Sequence, residues 1–113
     1  MSGITTHVLD LALGRPARGV PVKLELHAEG GWVMLAERVT DDDGRVRDLI
    51  AAGTRLTAGQ FRLTFGTGAY ARAQGGSSFY PEVPVVFEIH DPDQNYHVPL
   101  LLSPFGYSTY RGC

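Results

Sequence analysis

Apolar and polar side chains alternate over several short stretches of this chain. Between Val20 and Ala28, the residues Val20, Val22, Leu24, Leu26 and Ala28 fall on one face, and Pro21, Lys23, Glu25 and His27 take the other. A period of two is the pattern of a half-buried strand. Gly30-Gly31 breaks it, and Trp32 to Val39 follows as a second, less regular strand, so the two predict a hairpin. Gln60 to Gly66 alternates again, with Phe61, Leu63 and Phe65 inward and Arg62 and Thr64 outward. Val85, Phe87 and Ile89 interleave with Val86, Glu88 and His90 in another strand. Tyr96 to Ser103 is more continuously apolar, and Pro99 within it points to an edge position or a bulge. Ile4 to Leu11 fits strand or a helical turn by period, and Thr5, Thr6 and Val8 decide for strand. Only Gly68 to Gln74 reads as helix, and it is short.

Fourteen glycines and seven prolines in 113 residues leave little room for long helices. Thr40-Asp41-Asp42-Asp43-Gly44 is a turn whose Asp-Gly pair is a strong hairpin signal, and its three aspartates read as a solvated turn. The fold class expected is all-β: a two-sheet antiparallel sandwich of about eight short strands with one short helix. Residues 1–113 form a single domain on this reading, because the length suits one core and no linker interrupts it.

Charge narrows the function classes. Ten basic residues against twelve acidic ones leave a net charge of −2, which provides no footprint for nucleic acid. No apolar run reaches the length of a membrane span. The N-terminal residues lack the basic and apolar regions of an export signal. The one cysteine, Cys113, has no intramolecular partner, so a reducing compartment, the cytoplasm, is expected.

Few residues could carry chemistry. His27 lies on the polar face of its strand and His90 closes another, and both read as solvent-facing. His7 and His97 instead lie in largely apolar strands, where each is either a satisfied, partly buried imidazole or part of a site. No metal-ligand spacing, serine elbow or phosphate loop occurs. An enzyme built on this chain would work with imidazole, guanidinium and water. The tail from Ser103 to Cys113 is aromatic enough to be a packed final strand, and Arg111 within it would need an anion if buried.

Six segments in order, ITTHVLD at 4–10, GRPA at 14–17, GVPV at 19–22, TDDDGR at 40–45, FYPE at 79–82 and YHVPLLLS at 96–103, give the chain a resemblance to the transthyretin-like family. Within it the chain is similar to the branch of 5-hydroxyisourate hydrolases of urate degradation. The resemblance spans Ile4 to the last residue. It implies two four-stranded sheets, one short helix, and a homotetramer built as a dimer of dimers with sites where dimers meet. It also implies a site residue set: His7, Arg45, His97 and the tail Tyr110-Arg111-Gly112-Cys113, where Cys113 replaces the terminal serine of the family motif. No metal or organic cofactor is implied.

On that resemblance, Arg45 grips the planar substrate and stabilises the oxyanion formed when water attacks a ring amide carbonyl. His7 and His97 handle protons, with His97 assigned to the water and His7 to the substrate. Tyr110 and Arg111 contribute to substrate binding, and Cys113 joins the network around the water, or else acts as a nucleophile. The alternative function is a carrier of small aromatic ligands, as transthyretin is, which needs no such convergence of histidines and arginine.

Overall fold

A computed structural model describes residues 3–113. Nine strands and one helix are present among them: β1 Gly3–Asp10, β2 Arg15–Pro16, β3 Pro21–Ala28, β4 Gly31–Val39, β5 Arg45–Val46, β6 Gly59–Phe65, α1 Thr67–Ala73, β7 Val83–Ile89, β8 Asn95–Ser103 and β9 Gly106–Thr109. One sheet runs β4-β3-β6-β7. The other runs β2-β1-β8-β9, with β5 pairing to β1 beside β2.

The sandwich and its short helix match the expectation, and the inward positions of β3 and β6 supply its centre. Val22, Leu24, Phe61, Leu63 and Phe65 face Ile4, Val8, Val98 and Leu100 across the two sheets, all of them buried. Burying this apolar set is the main term holding the sheets together. Leu49 and Leu56, from the segment between β5 and β6, are buried with them. The helix, at Thr67–Ala73, lies one residue earlier than the Gly68–Gln74 expected.

Four details differ from the pattern-based reading. First, β1 and β8 run parallel, so the sandwich is mixed at that pair. Thr6, buried in β1, donates from Oγ1 to the Val98 carbonyl at 2.6 Å and helps to lock this register.

Second, Pro99 sits in a strand paired on both sides, not at an edge. Its missing N–H is tolerated because of where it points. The carbonyls of His97 and Pro99 accept from the Gly112 N–H (2.8 Å) and from Thr109 Oγ1 (2.7 Å), so the Pro99 nitrogen also faces the C-terminal tail. There the ladder lapses between Thr109 and Gly112, and the tail re-pairs with β8 at His97↔Gly112.

Third, Asp43-Gly44 closes no hairpin. The turn carries the chain from β4 in one sheet to β5 in the other.

Fourth, Glu25 lies on the polar face of β3 and is nevertheless buried. Arg62 on the paired strand covers it, with Nε and Nη2 donating to Oε1 at 2.9 and 2.8 Å, and Trp32 lies under the guanidinium.

Candidate functional site

Alternation along β1 sends Ile4, Thr6 and Val8 into the core and leaves Thr5, His7 and Leu9 half-buried on the outer face of the sheet. In β8 the same rule turns Tyr96 and Val98 inward and His97 outward. Register then gathers the candidates. Thr5 pairs with His97, His7 pairs with Pro99 on one side and Arg45 on the other, and Gly112 pairs with His97. Directly paired residues share a face, so His7, Arg45 and His97 stand together on the outer face.

A turn built by a carboxylate places Arg45. The Asp41 Oδ1 accepts the N–H groups of Asp43 (2.9 Å) and Arg45 (3.0 Å), and its Oδ2 meets Arg47 at 3.2 Å. These bonds, led by that from the Arg45 N–H, hold the Asp41 carboxyl below the usual carboxylate range. Gly44 lies flat against β1, where its carbonyl accepts the Val8 N–H at 2.7 Å. A side chain there would collide with the Val8 carbonyl, and φ is +75°. Both facts call for glycine. With Gly44 seated, Arg45 can lie opposite His7.

An open cleft of about 570 Å³ lies over this face, lined by Thr5, Arg45, Arg47, Asn95, His97, Gly112 and Cys113 among others. That volume suits a small planar molecule. His97 Nδ1 is 2.8 Å from Thr5 Oγ1. Burial depresses the His97 pKa first, then the charge of Arg45 and then that of His7, while the Thr5 backbone opposes the shift. The imidazole is therefore neutral at pH 7 and able to accept a proton. Gly112 lies against the ring: a Cβ there would stand 2.7 Å from His97 Cδ2.

The structure thus places Arg45, His97 and Cys113 on the cleft. His7 is beside it on the same face, near enough for its charge to act on His97. Tyr110 and Arg111, read as substrate-binding, lie instead along a separate groove with Val85 and Phe87 of β7. There Arg111 stacks over Tyr96 at 4.4 Å and donates to Gln94 Oε1 (2.8 Å) and the Asn95 carbonyl (3.2 Å). It is exposed, so it requires no buried anion. The cleft residues Thr5, Asn95 and Arg47 were not singled out from the sequence. For Thr5 a signal existed, since it lies two residues before His7 and hence on the same face. His27 and His90 are exposed, as expected. Among the described residues no group of three His, Cys, Asp or Glu could hold a metal ion.

The HIUase/transthyretin family model matches residues 4–112. The chain belongs to this family. Among its relatives, the 5-hydroxyisourate hydrolase of Caulobacter vibrioides is 46% identical, over 99% of each chain. The structure of Klebsiella pneumoniae 5-hydroxyisourate hydrolase superimposes with a TM-score of 0.86 at 40% identity, covering 100% of both chains. Sea bream transthyretin in complex with thyroxine gives 0.88 at 37% identity, over 96% of this chain and 93% of the other. Both branches of the HIUase/transthyretin family therefore share this fold, and the fold cannot choose between them. The choice rests on the side chains over the outer face of β1 and β8.

Proposed function

We propose that this protein hydrolyses 5-hydroxyisourate to 2-oxo-4-hydroxy-4-carboxy-5-ureidoimidazoline, a step of urate degradation. The observation that carries the reading is the neutral His97 imidazole facing a cleft whose positive charge comes from Arg45 and Arg47. The chain also matches curated 5-hydroxyisourate hydrolases over nearly its whole length. A carrier site for an aromatic ligand has no use for a proton acceptor beside a guanidinium.

In the proposed reaction, water attacks the ring amide carbonyl and gives a proton to His97. The new C–O bond forms as the carbonyl electrons move to oxygen, and Arg45 stabilises that oxyanion. When the intermediate collapses, the C–N bond breaks and the ring nitrogen takes up the proton, leaving a carboxylic acid and a ureido group. His7, opposite Arg45, contacts the substrate and shares in the proton handling. Every step uses this chain's own side chains and water. Cys113 stands at the cleft where its thiol can hydrogen-bond the water network, more weakly than a hydroxyl would.

Residues 1–113 act as one domain in this reading, and the working form is a homotetramer, a dimer of dimers. Support for assembly comes from apolar side chains in two loops: Leu11 and Leu13 after β1, and Phe105 between β8 and β9, are 54%, 51% and 82% exposed. The Leu11 N–H donates to the Leu102 carbonyl at 2.8 Å, which brings the two loops to one end of the sandwich. A cytoplasmic location fits the single free cysteine.

His97→Asn and Arg45→Ala test the assignment. Each should lower kcat/KM by about 10²-fold or more while sedimentation still shows the wild-type assembly. Unaltered turnover in either variant would overturn the site. A carrier would show changed ligand affinity and no turnover in any form.

A further inference from the structure

Catalysis by His97 requires more than a neutral ring. The ring must also present a bare nitrogen to the water, and the tautomer decides which nitrogen that is. In neutral imidazole one nitrogen is a donor and the other an acceptor, and the hydrogen bond made by one sets the state of the other. His97 Nδ1 is engaged by Thr5 at 2.8 Å, whereas Nε2 has no hydrogen-bond partner among the described residues. A hydroxyl could either donate to Nδ1 or accept from it. The proposed role of the ring breaks the ambiguity. With Nδ1 taken up by Thr5, only Nε2 is free to receive the proton of the water, so Nε2 must be bare and the Nδ1–H must donate to Thr5 Oγ1.

Two further features hold the ring in place. Thr5 and His97 are paired across β1 and β8, in a register that the buried Thr6 bond to Val98 fixes one residue away. On another side Gly112 closes over Cδ2, the carbon next to Nε2, without room for a methyl group.

We propose that Thr5 is a positioning residue for the reaction: its side chain holds His97 as the Nδ1–H tautomer, with Nε2 directed to the cleft as the proton acceptor. This rests on the hydrolase reading, in which His97 takes the proton of the water, and it assigns to the segment before His7 a role separate from that of His7.

The test begins with the unmodified protein, without substrate. Long-range ¹H–¹⁵N correlation spectra of ¹⁵N-labelled protein at pH 7.5 should show His97 with a protonated Nδ1 and a bare Nε2. The reverse pattern, which is the usual one for a free imidazole, would overturn the proposal. Thr5→Val keeps the β-branched shape and removes the hydroxyl, and it should mix the two tautomers. With 5-hydroxyisourate it should lower kcat about tenfold with KM little changed, a part of the contribution of a positioned base. Thr5→Ser should restore both the spectrum and kcat. A Thr5→Val protein with wild-type spectrum and kcat would also refute the assignment. If the unmodified protein fails to turn over substrate, the hydrolase reading falls, while the spectrum still decides the tautomer.

Discussion

Replacing Gly112 by alanine should damage the reaction more than the fold. The added Cβ would lie 2.7 Å from His97 Cδ2, against about 3.4 Å for the nearest ordinary contact. It would also lie 3.4 Å from His97 Cγ and from Pro99 Cγ, so the ring cannot escape by sliding along the tail. One relief pushes the imidazole by about 0.7 Å away from the tail and towards Thr5 on the opposite neighbouring strand, where a 2.8 Å contact leaves no room, so the ring must tilt and lose the geometry of that hydrogen bond. The other lifts the tail, which breaks the 2.8 Å bond from the Gly112 N–H to the His97 carbonyl and withdraws Cys113 from the cleft.

Displacements of this size at a reacting group cost about 10- to 100-fold in rate, or about 1.4–2.7 kcal/mol of barrier. The folding cost should be smaller, since one hydrogen bond near an exposed chain end contributes about 1 kcal/mol. Steady-state kinetics on 5-hydroxyisourate would be paired with a thermal melt. The expected result is the stated fall in kcat/KM, with a Tm lowered by a few degrees at most. Unchanged kinetics would show that the tail does not hold His97. A large fall in Tm with full activity per folded molecule would make Gly112 a fold residue instead.

Four other outcomes follow from the structure. Because the His97 pKa lies below 6.5, kcat/KM should stay level as pH falls through that value and drop only at a lower pH; a fall centred on 6.5 or above would contradict a depressed base. The sign for stability follows from linkage: the unfolded ring binds a proton before the folded one, so His97's contribution is full above pH 6.5 and is lost as pH falls through its folded pKa, a trend that His97→Asn should weaken in pH-dependent denaturation. Tyr70→Phe removes the 2.7 Å bond from Tyr70 to the buried Asp10 carboxylate; burial first, and then that bond, pushes the phenol pKa up to about 12. It should cost about 1–3 kcal/mol of stability in urea and leave kcat intact, and a stability unchanged within error would show that the bond contributes nothing. Cys113→Ser should keep or raise kcat, because a hydroxyl serves the water network at least as well as a thiol; a loss above tenfold would revive a thiol nucleophile.

What the sequence disclosed depended on how local each cause was. The alternation of β3 and β6 and their core residues could be read directly, because period and burial are properties of a single strand. His7 and His97 stood out as polar residues in apolar strands, and register later showed why they matter. Pairing between remote segments was not legible from pattern. Nothing in the residues of β1 announces a parallel partner about 90 positions away, and that pairing is what sets His97 against Thr5. Pro99 suggested an edge because a missing donor usually lies there, whereas here it faces a lapse in the tail's pairing. Glu25 looked solvent-facing because its cover, Arg62, comes from a different strand. Tyr110 and Arg111 were placed at the site by resemblance to a tail motif. In this chain stacking on Tyr96 and bonds to Gln94 and Asn95 draw Arg111 to the neighbouring groove, while Gly112 and Cys113 reach the cleft.

The most direct measurement is turnover of freshly generated 5-hydroxyisourate. Urate and urate oxidase would supply it, and its ultraviolet absorbance would be followed with and without the protein in the presence of a chelator. The account predicts decay well above the spontaneous rate, undiminished by the chelator, and lost with His97→Asn. Decay at the spontaneous rate in a folded, assembled protein would contradict it and leave the cleft to ligand binding alone.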